Sequence, residues 1–113
     1  MKSVNYIPAR GDIMWIALGP HKGREQGFRR PVIILSPLSY NQKTSLAVLC
    51  PITNQVKGYA FEVTLPEGMK TTGVVIADHI KNLDWRARET VFIEKAPDEL
   101  IDEVLAKIDA LIF

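Results

Sequence analysis

Apolar positions along this chain fall into short clusters separated by glycine, proline and polar turns. Residues 12–18 (DIMWIAL) are rich in β-branched and aromatic side chains and end at Gly19-Pro20, which predicts a strand. Residues 31–36 (PVIILS) form a continuous apolar run, expected as a central strand with Pro31 at its first position. Residues 45–53 (SLAVLCPIT) predict a third strand, with Pro51 marking a bulge or an edge. Residues 59–65 (YAFEVTL) alternate, placing Phe61, Val63 and Leu65 on one face. Residues 74–77 (VVIA) and 90–95 (TVFIEK) complete the strand set. The intervening SPLSYNQKT and PEGMKTTG read as turns.

Only the end of the chain has helical spacing. Leu100, Ile101, Val104, Leu105, Ile108, Leu111 and Ile112 recur on one face after Pro97, the expected first helical residue. Asp98 and Glu99 suit the positive end of that helix dipole. About six strands and one late helix predict a mainly β (β+α) domain, a small bent antiparallel barrel filling residues 1–113. So small a barrel has no room for an internal site, which places function on its loops.

Composition adds little to this until it is resolved by position. Apolar residues make up 47% and charged residues 24% of the chain, which favours an ordered core. Met1–Arg10 lacks the apolar segment of a secretion signal, and no run approaches a membrane span. Cys50 is the single cysteine and lies within an apolar run. Together these features predict a cytoplasmic protein with no membrane association. The net charge is +1, yet the last sixteen residues carry −4 and the remainder +5. Residues 21–30 (HKGREQGFRR) alone hold +3. A basic loop of this kind fits either a polyanion partner or a solvated surface.

The chemistry is equally localised. His21 and His79 are far apart in sequence and no H-x-x-x-H or C-x-x-C spacing occurs, so no metal and no cofactor are expected. No phosphate-binding or dinucleotide glycine motif is present; Gly23 and Gly27 are instead interleaved with arginines, which suits close approach to phosphate. A second cationic set, Lys57, Lys81, Arg86 and Arg88, accompanies Tyr59 and Trp85. Cations mixed with rings serve single-stranded nucleic acid, because charge holds the backbone and rings stack on bases. Trp15, Phe61 and Phe92 fall in strand patterns and are expected in the core. Tyr59 and Trp85 flank turns and fit core and stacking roles equally.

Six segments, taken in order, resemble the MazF/PemK toxin family. They are GDIMWI, KGREQGFRRPVIILSP, YNQKT, CPITNQVKGYAFEV, VVIADHIKNLDWRAR and KIDALI. The resemblance implies an SH3-like barrel of six to seven strands with a C-terminal helix, acting as a homodimer. It also implies a sequence-specific, metal-independent endoribonuclease that cleaves single-stranded mRNA and is held in check by an acidic, partly disordered antitoxin. The family's catalytic positions fall on Arg30, Thr53 and Glu25. Lys22, Arg24, Phe28, Arg29, Lys57, Tyr59, His79, Lys81, Trp85 and Arg86 become the expected RNA-binding set.

In such a reaction the ribose 2′-hydroxyl attacks its own phosphate, leaving a 2′,3′-cyclic phosphate and a 5′-hydroxyl. Charge gathers on the non-bridging oxygens, where a fixed guanidinium such as that of Arg30 acts. The cations around Glu25 depress its pKa and weaken it as a base, so orienting Arg30 or the loop is its favoured role. The general acid and base stay unassigned. Two departures from the family pattern bear on base preference: Phe28 stands between Gly27 and Arg30, and the segment Asp78-His79-Ile80-Lys81 carries histidine where the family often has glutamine. Two other readings use the same scaffold. One is a topoisomerase inhibitor like the CcdB toxins, which end on a tryptophan-containing segment where this chain ends ALIF. The other is a non-catalytic RNA-binding barrel, which has no need for Glu25, Arg30 and Thr53 together.

Overall fold

The computed structural model describes residues 6–18 and 29–113. Seven antiparallel strands form one bent sheet. In chain order the elements are β1 (Asp12–Ala17), β2 (Arg29–Ile34), α1 (Leu38–Thr44), β3 (Leu46–Thr53), β4 (Glu62–Thr64), β5 (Val74–Ile76), β6 (Lys81–Asp84), β7 (Thr90–Lys95) and α2 (Asp98–Ile112). The strand order is β4-β5-β3-β2-β1-β7, with β6 also paired to β3. Mainly β architecture and a C-terminal helix are as expected, but among the described residues the sheet does not close into a barrel.

Partner switching along β3 produces the bend. Leu46–Leu49 pair with β6, whereas Ile52 and Thr53 pair with β5. Pro51 sits between these ladders and has no N–H to donate. On its other edge β3 keeps pairing with β2, Pro51 lying opposite Val32 and Cys50 opposite Ile33. Pro51 thus marks a change of partner within a buried strand.

Strand alternation sends side chains into two cores. Ile13, Ile33, Cys50, Ile52, Val63 and Val75 meet Leu100 and Val104 of α2 on one side. Met14, Ile16, Val32, Ile34, Leu49 and Trp85 form the other cluster, with Leu18 and Leu83 at its margin. Gly11 joins the elements: its N–H donates to the Ile34 carbonyl, and its own carbonyl accepts from Ala96, both at 2.7 Å. Beside it, fully buried Asp12 accepts from the Tyr6 hydroxyl, from the Ala9 N–H at 2.9 Å and from the Lys95 ammonium at 2.6 Å. Burial pushes the Tyr6 hydroxyl pKa up, and the Asp12 hydrogen bond and charge push it further.

Several local expectations are corrected. SPLSYNQKT is a helix over much of its length, not a turn. Asn41 anchors it, donating to the Pro8 and Ser36 carbonyls at 2.7 and 3.1 Å and accepting from the Ser36 hydroxyl at 2.5 Å. Lys81–Asp84 is a strand that alternation did not mark. The YAFEVTL strand shortens to Glu62–Thr64, and β2 starts two residues before Pro31, at Arg29. Pro97 is the cap of α2 and Asp98 its first helical residue. Trp15 and Phe92 are exposed at 38% and 45%, outside the core expected for them. Trp15 lies opposite Pro31 with the Arg29 guanidinium 5.9 Å from its ring centroid, and Phe92 packs against the Tyr6 ring.

Candidate nucleic-acid interface and active site

The β2–β3 register brings the two principal candidates together. The β2–β3 ladder ends with Val32 opposite Pro51, two residues from Arg30 on one strand and from Thr53 on the other. Both line one cavity of about 650 Å³. It opens where β3 changes partner, lined by Pro51 and Thr53 of β3, Ile76 of β5, Asp78 and His79 of the β5–β6 connection and Lys81 of β6. Leu18 and Leu83 continue the apolar margin of the second core into it. Gln55, Lys57, Tyr59 and Glu62 close the remaining side.

Of the residues anticipated from sequence, Arg30, Thr53, Lys57, Tyr59, His79 and Lys81 share this cavity. Arg30, Lys57 and Lys81 oppose the two carboxylates Glu62 and Asp78 within it. Gln55, Glu62 and Asp78 were not among the expected site residues. Their signal lay in their neighbours, since Glu62 alternates with Phe61 and Val63 and Asp78 precedes His79. Lys22, Arg24, Glu25 and Phe28 lie outside the described residues.

Three expected RNA contacts are placed elsewhere. Trp85 is 6% exposed, and its indole N–H donates to the Asn41 carbonyl at 3.1 Å. It is therefore a core residue, because the carbonyl of a polar helix supplies the acceptor a buried indole requires. Arg86 lies over the Trp85 ring, 4.4 Å from its centroid, and does not line the cavity. Arg29 occupies the opposite face of β2 from Arg30, 5.9 Å from the Trp15 ring centroid and 3.9 Å from Glu89. Arg88 has a structural task instead, donating to the Ala17 and Leu18 carbonyls at 2.8 and 3.3 Å. That holds the end of β1 at the cavity edge.

Thr53 is fixed from both directions. Its hydroxyl accepts the Gln55 N–H at 3.0 Å, leaving the hydroxyl proton available to a phosphate oxygen. Behind it, Gly73 adopts φ +111° and approaches the Thr53 backbone closely. Cys50 precedes Pro51 in β3 and is fully buried, its thiol 3.6 Å from the Ala77 carbonyl. Burial pushes that thiol up to about 12, with the charge of Asp78 adding to the effect. Among the described residues, no group of three or more His, Cys, Asp and Glu side chains is arranged to hold a metal. None of the described helices is long and apolar enough to cross a membrane.

Residues 9–112 match the family model described as PemK-like, MazF-like toxin of type II toxin–antitoxin system. This chain belongs to that family. Its sequence is 42% identical over 107 residues to the endoribonuclease toxin MazF of Escherichia coli, covering 95% of this chain and 96% of that protein. It is 36% identical to the endoribonuclease PemK of Escherichia coli, covering 91% and 80% of the two chains. The crystal structure of MazF from Deinococcus radiodurans superposes with a TM-score of 0.87 at 44% identity, over 96% of this chain and 98% of that one. A MazE–MazF complex from the same organism matches at TM-score 0.85 and 41% identity, covering 96% and 97%. Family membership thus rests on nearly the whole chain, including every described residue of the cavity.

Proposed function

We propose that this family member is the toxin of a toxin–antitoxin pair, a sequence-specific endoribonuclease that cuts single-stranded mRNA and thereby inhibits translation and growth. The observation that carries this reading is the meeting of Arg30 and Thr53 in a cavity also lined by Lys57, Lys81, His79 and Tyr59. Relatives named as endoribonucleases over nearly the same length support it.

In the proposed reaction the 2′-hydroxyl attacks the adjacent phosphate, expels the 5′-oxygen and leaves a cyclic phosphate. Arg30 presents a planar fork of N–H donors. Its role is to hold two non-bridging oxygens as their charge grows, an electrostatic contribution of ~3–4 kcal/mol for one well-placed donor. Thr53 donates its hydroxyl to the same phosphate. Glu25 orients Arg30 or its loop. Lys57 and Lys81 hold flanking phosphates, while Tyr59 supplies a ring for a base and His79 an edge for hydrogen bonding. No step is assigned to a metal or cofactor.

The same cavity suits an acidic, partly disordered antitoxin segment that excludes RNA, since both ligands are polyanions. MazE–MazF complexes among the matching structures support an antitoxin partner. A homodimer acting in the cytoplasm completes the reading.

The deciding assay incubates the purified protein with a long single-stranded RNA, with chelator present. Discrete fragments ending in cyclic phosphate are expected, and a 2′-deoxy residue at the cut position should abolish cleavage there. Intact RNA together with poisoned topoisomerase would replace this reading with the CcdB-like one. Tight RNA binding without fragments would leave a binding module.

A further inference from the structure

One part of the cavity lining comes from a loop with no regular secondary structure, residues 54–61. It carries Lys57 and Tyr59, and Tyr59 is 65% exposed. Loops that exposed ordinarily sample many conformations, which would spoil a surface meant to hold a phosphate and a base in one register. This loop is held by a specific device. The two carboxylate oxygens of Glu62 each accept a different backbone N–H, from Lys57 at 3.0 Å and from Gly58 at 2.9 Å. Gly58 sits at φ +80°, the backbone reversal that aims both N–H groups at one carboxylate. From the other side, the Lys107 ammonium of α2 donates to the Ala60 carbonyl at 2.7 Å. At the start of the loop, the Thr72 hydroxyl donates to the Asn54 side chain at 2.9 Å.

We propose that Glu62 is a positioning residue for RNA recognition, acting through this loop to hold Lys57 and Tyr59 against the substrate strand. The inference rests on the endoribonuclease reading of the same cavity and adds a role for a carboxylate that its place in the lining alone would suggest as a proton acceptor. Glu62 is committed to two N–H donors, and charge-assisted bonds of this kind are among the stronger ones available at a surface. Its contribution is to binding and to the choice of cut site, while the reacting phosphate is handled by Arg30 and Thr53. Lys107 is the secondary clamp.

Glu62→Gln is the informative change, since it preserves shape. An amide has one acceptor oxygen, and its NH2 group faces a backbone N–H with nothing to accept. The experiment measures single-turnover cleavage of one RNA over a range of protein concentrations, for wild type, Glu62→Gln, Lys107→Met, Lys57→Ala/Tyr59→Ala and the triple combination with Glu62→Gln. For Glu62→Gln we expect the half-saturating concentration to rise about tenfold with the saturating rate within about threefold of wild type, the pattern of lost binding that is uniform along the reaction. Lys107→Met should shift half-saturation the same way by a smaller factor, and it sits on a helix surface where folding is safe. The combination should be no worse than Lys57→Ala/Tyr59→Ala, because changes acting through one element do not add. An unchanged half-saturation in both Glu62→Gln and Lys107→Met overturns the proposal. A fall in saturating rate alone also overturns it, by making Glu62 a participant in the chemistry. Wild type that leaves RNA intact would instead sink the endoribonuclease reading and this one with it.

Discussion

A β-carbon placed on Gly73 would stand 2.2 Å from the Thr53 carbonyl oxygen. The Thr53 position in the cavity therefore depends on a residue that never faces it. Gly73 also has φ +111°, and its carbonyl accepts the Leu65 N–H at 3.0 Å as the β4–β5 hairpin closes.

The Gly73→Ala variant should consequently lose about 1–3 kcal/mol of stability, the scale of one strained backbone conformation. Cleavage should fall as well, because the obstructing atom is backbone and the end of β3 must move. Gly68→Ala is the control. Gly68 also has positive φ, at +94°, but a β-carbon there meets nothing within 4 Å. It should cost stability and leave cleavage by the folded protein near wild type. Denaturant titration and single-turnover rates on the two variants separate these effects.

Trp85 and Tyr59 looked equivalent from sequence and are not equivalent in the fold. Trp85→Phe removes the indole donor to the Asn41 carbonyl, which keeps the Ser45 N–H at 3.1 Å, and should cost about 0.5–1.5 kcal/mol of stability, the net worth of one hydrogen bond. RNA affinity should be retained. Tyr59→Ala should behave in the opposite way, weakening RNA binding by ~1–3 kcal/mol, the worth of one stacked base, with little change in stability. Anisotropy with an uncleavable 2′-deoxy strand, set beside denaturant midpoints, checks both.

Much of this arrangement was legible in the chain, for identifiable reasons. β1, β2, β3 and β7 announce themselves as runs rich in apolar and β-branched residues, and α2 by its helical spacing after Pro97. Arg30 was singled out through the family resemblance of its motif, and it lies within β2 at the cavity. α1 was hidden because what stabilises it is tertiary: Asn41 anchors a polar segment through bonds to Pro8 and Ser36. β6 was hidden because Lys81, Asn82 and Asp84 are exposed, and only the pairing with Leu46–Leu49 makes them a strand. Trp15 is exposed although it alternates with buried Ile13, because exposure depends on what packs over that end of β1, which a propensity for aromatic strands does not encode. Glu62 was passed over for a related reason: its partners are backbone groups, which leave no mark in the sequence.

Cys50 provides a test of β3 beside the cavity. Its thiol is pushed up to about 12 by burial and by Asp78. The folded state therefore binds more protons than the unfolded state once pH exceeds the ordinary thiol value of 9.0. This contribution to stability is complete below that value and is lost as pH rises toward about 12. Between those limits the wild type should lose more stability than Cys50→Ala, which has no thiol to titrate. At neutral pH the native protein should resist alkylation, becoming reactive only in denaturant. Rapid labelling under native conditions would mean that β3 opens readily there.

The central claim is that Arg30 acts as a geometric clamp on the reacting phosphate, beyond supplying positive charge. Lysine at this position keeps the charge but has no planar fork to hold two oxygens. The most direct measurement compares wild type and Arg30→Lys on one RNA under single-turnover conditions, with affinity taken from an uncleavable 2′-deoxy analogue. Binding should stay within a few-fold, while cleavage slows by roughly two to three orders of magnitude, the effect of losing one transition-state donor. Near-normal cleavage by Arg30→Lys would contradict the account and leave Arg30 as one more cation on the cavity wall.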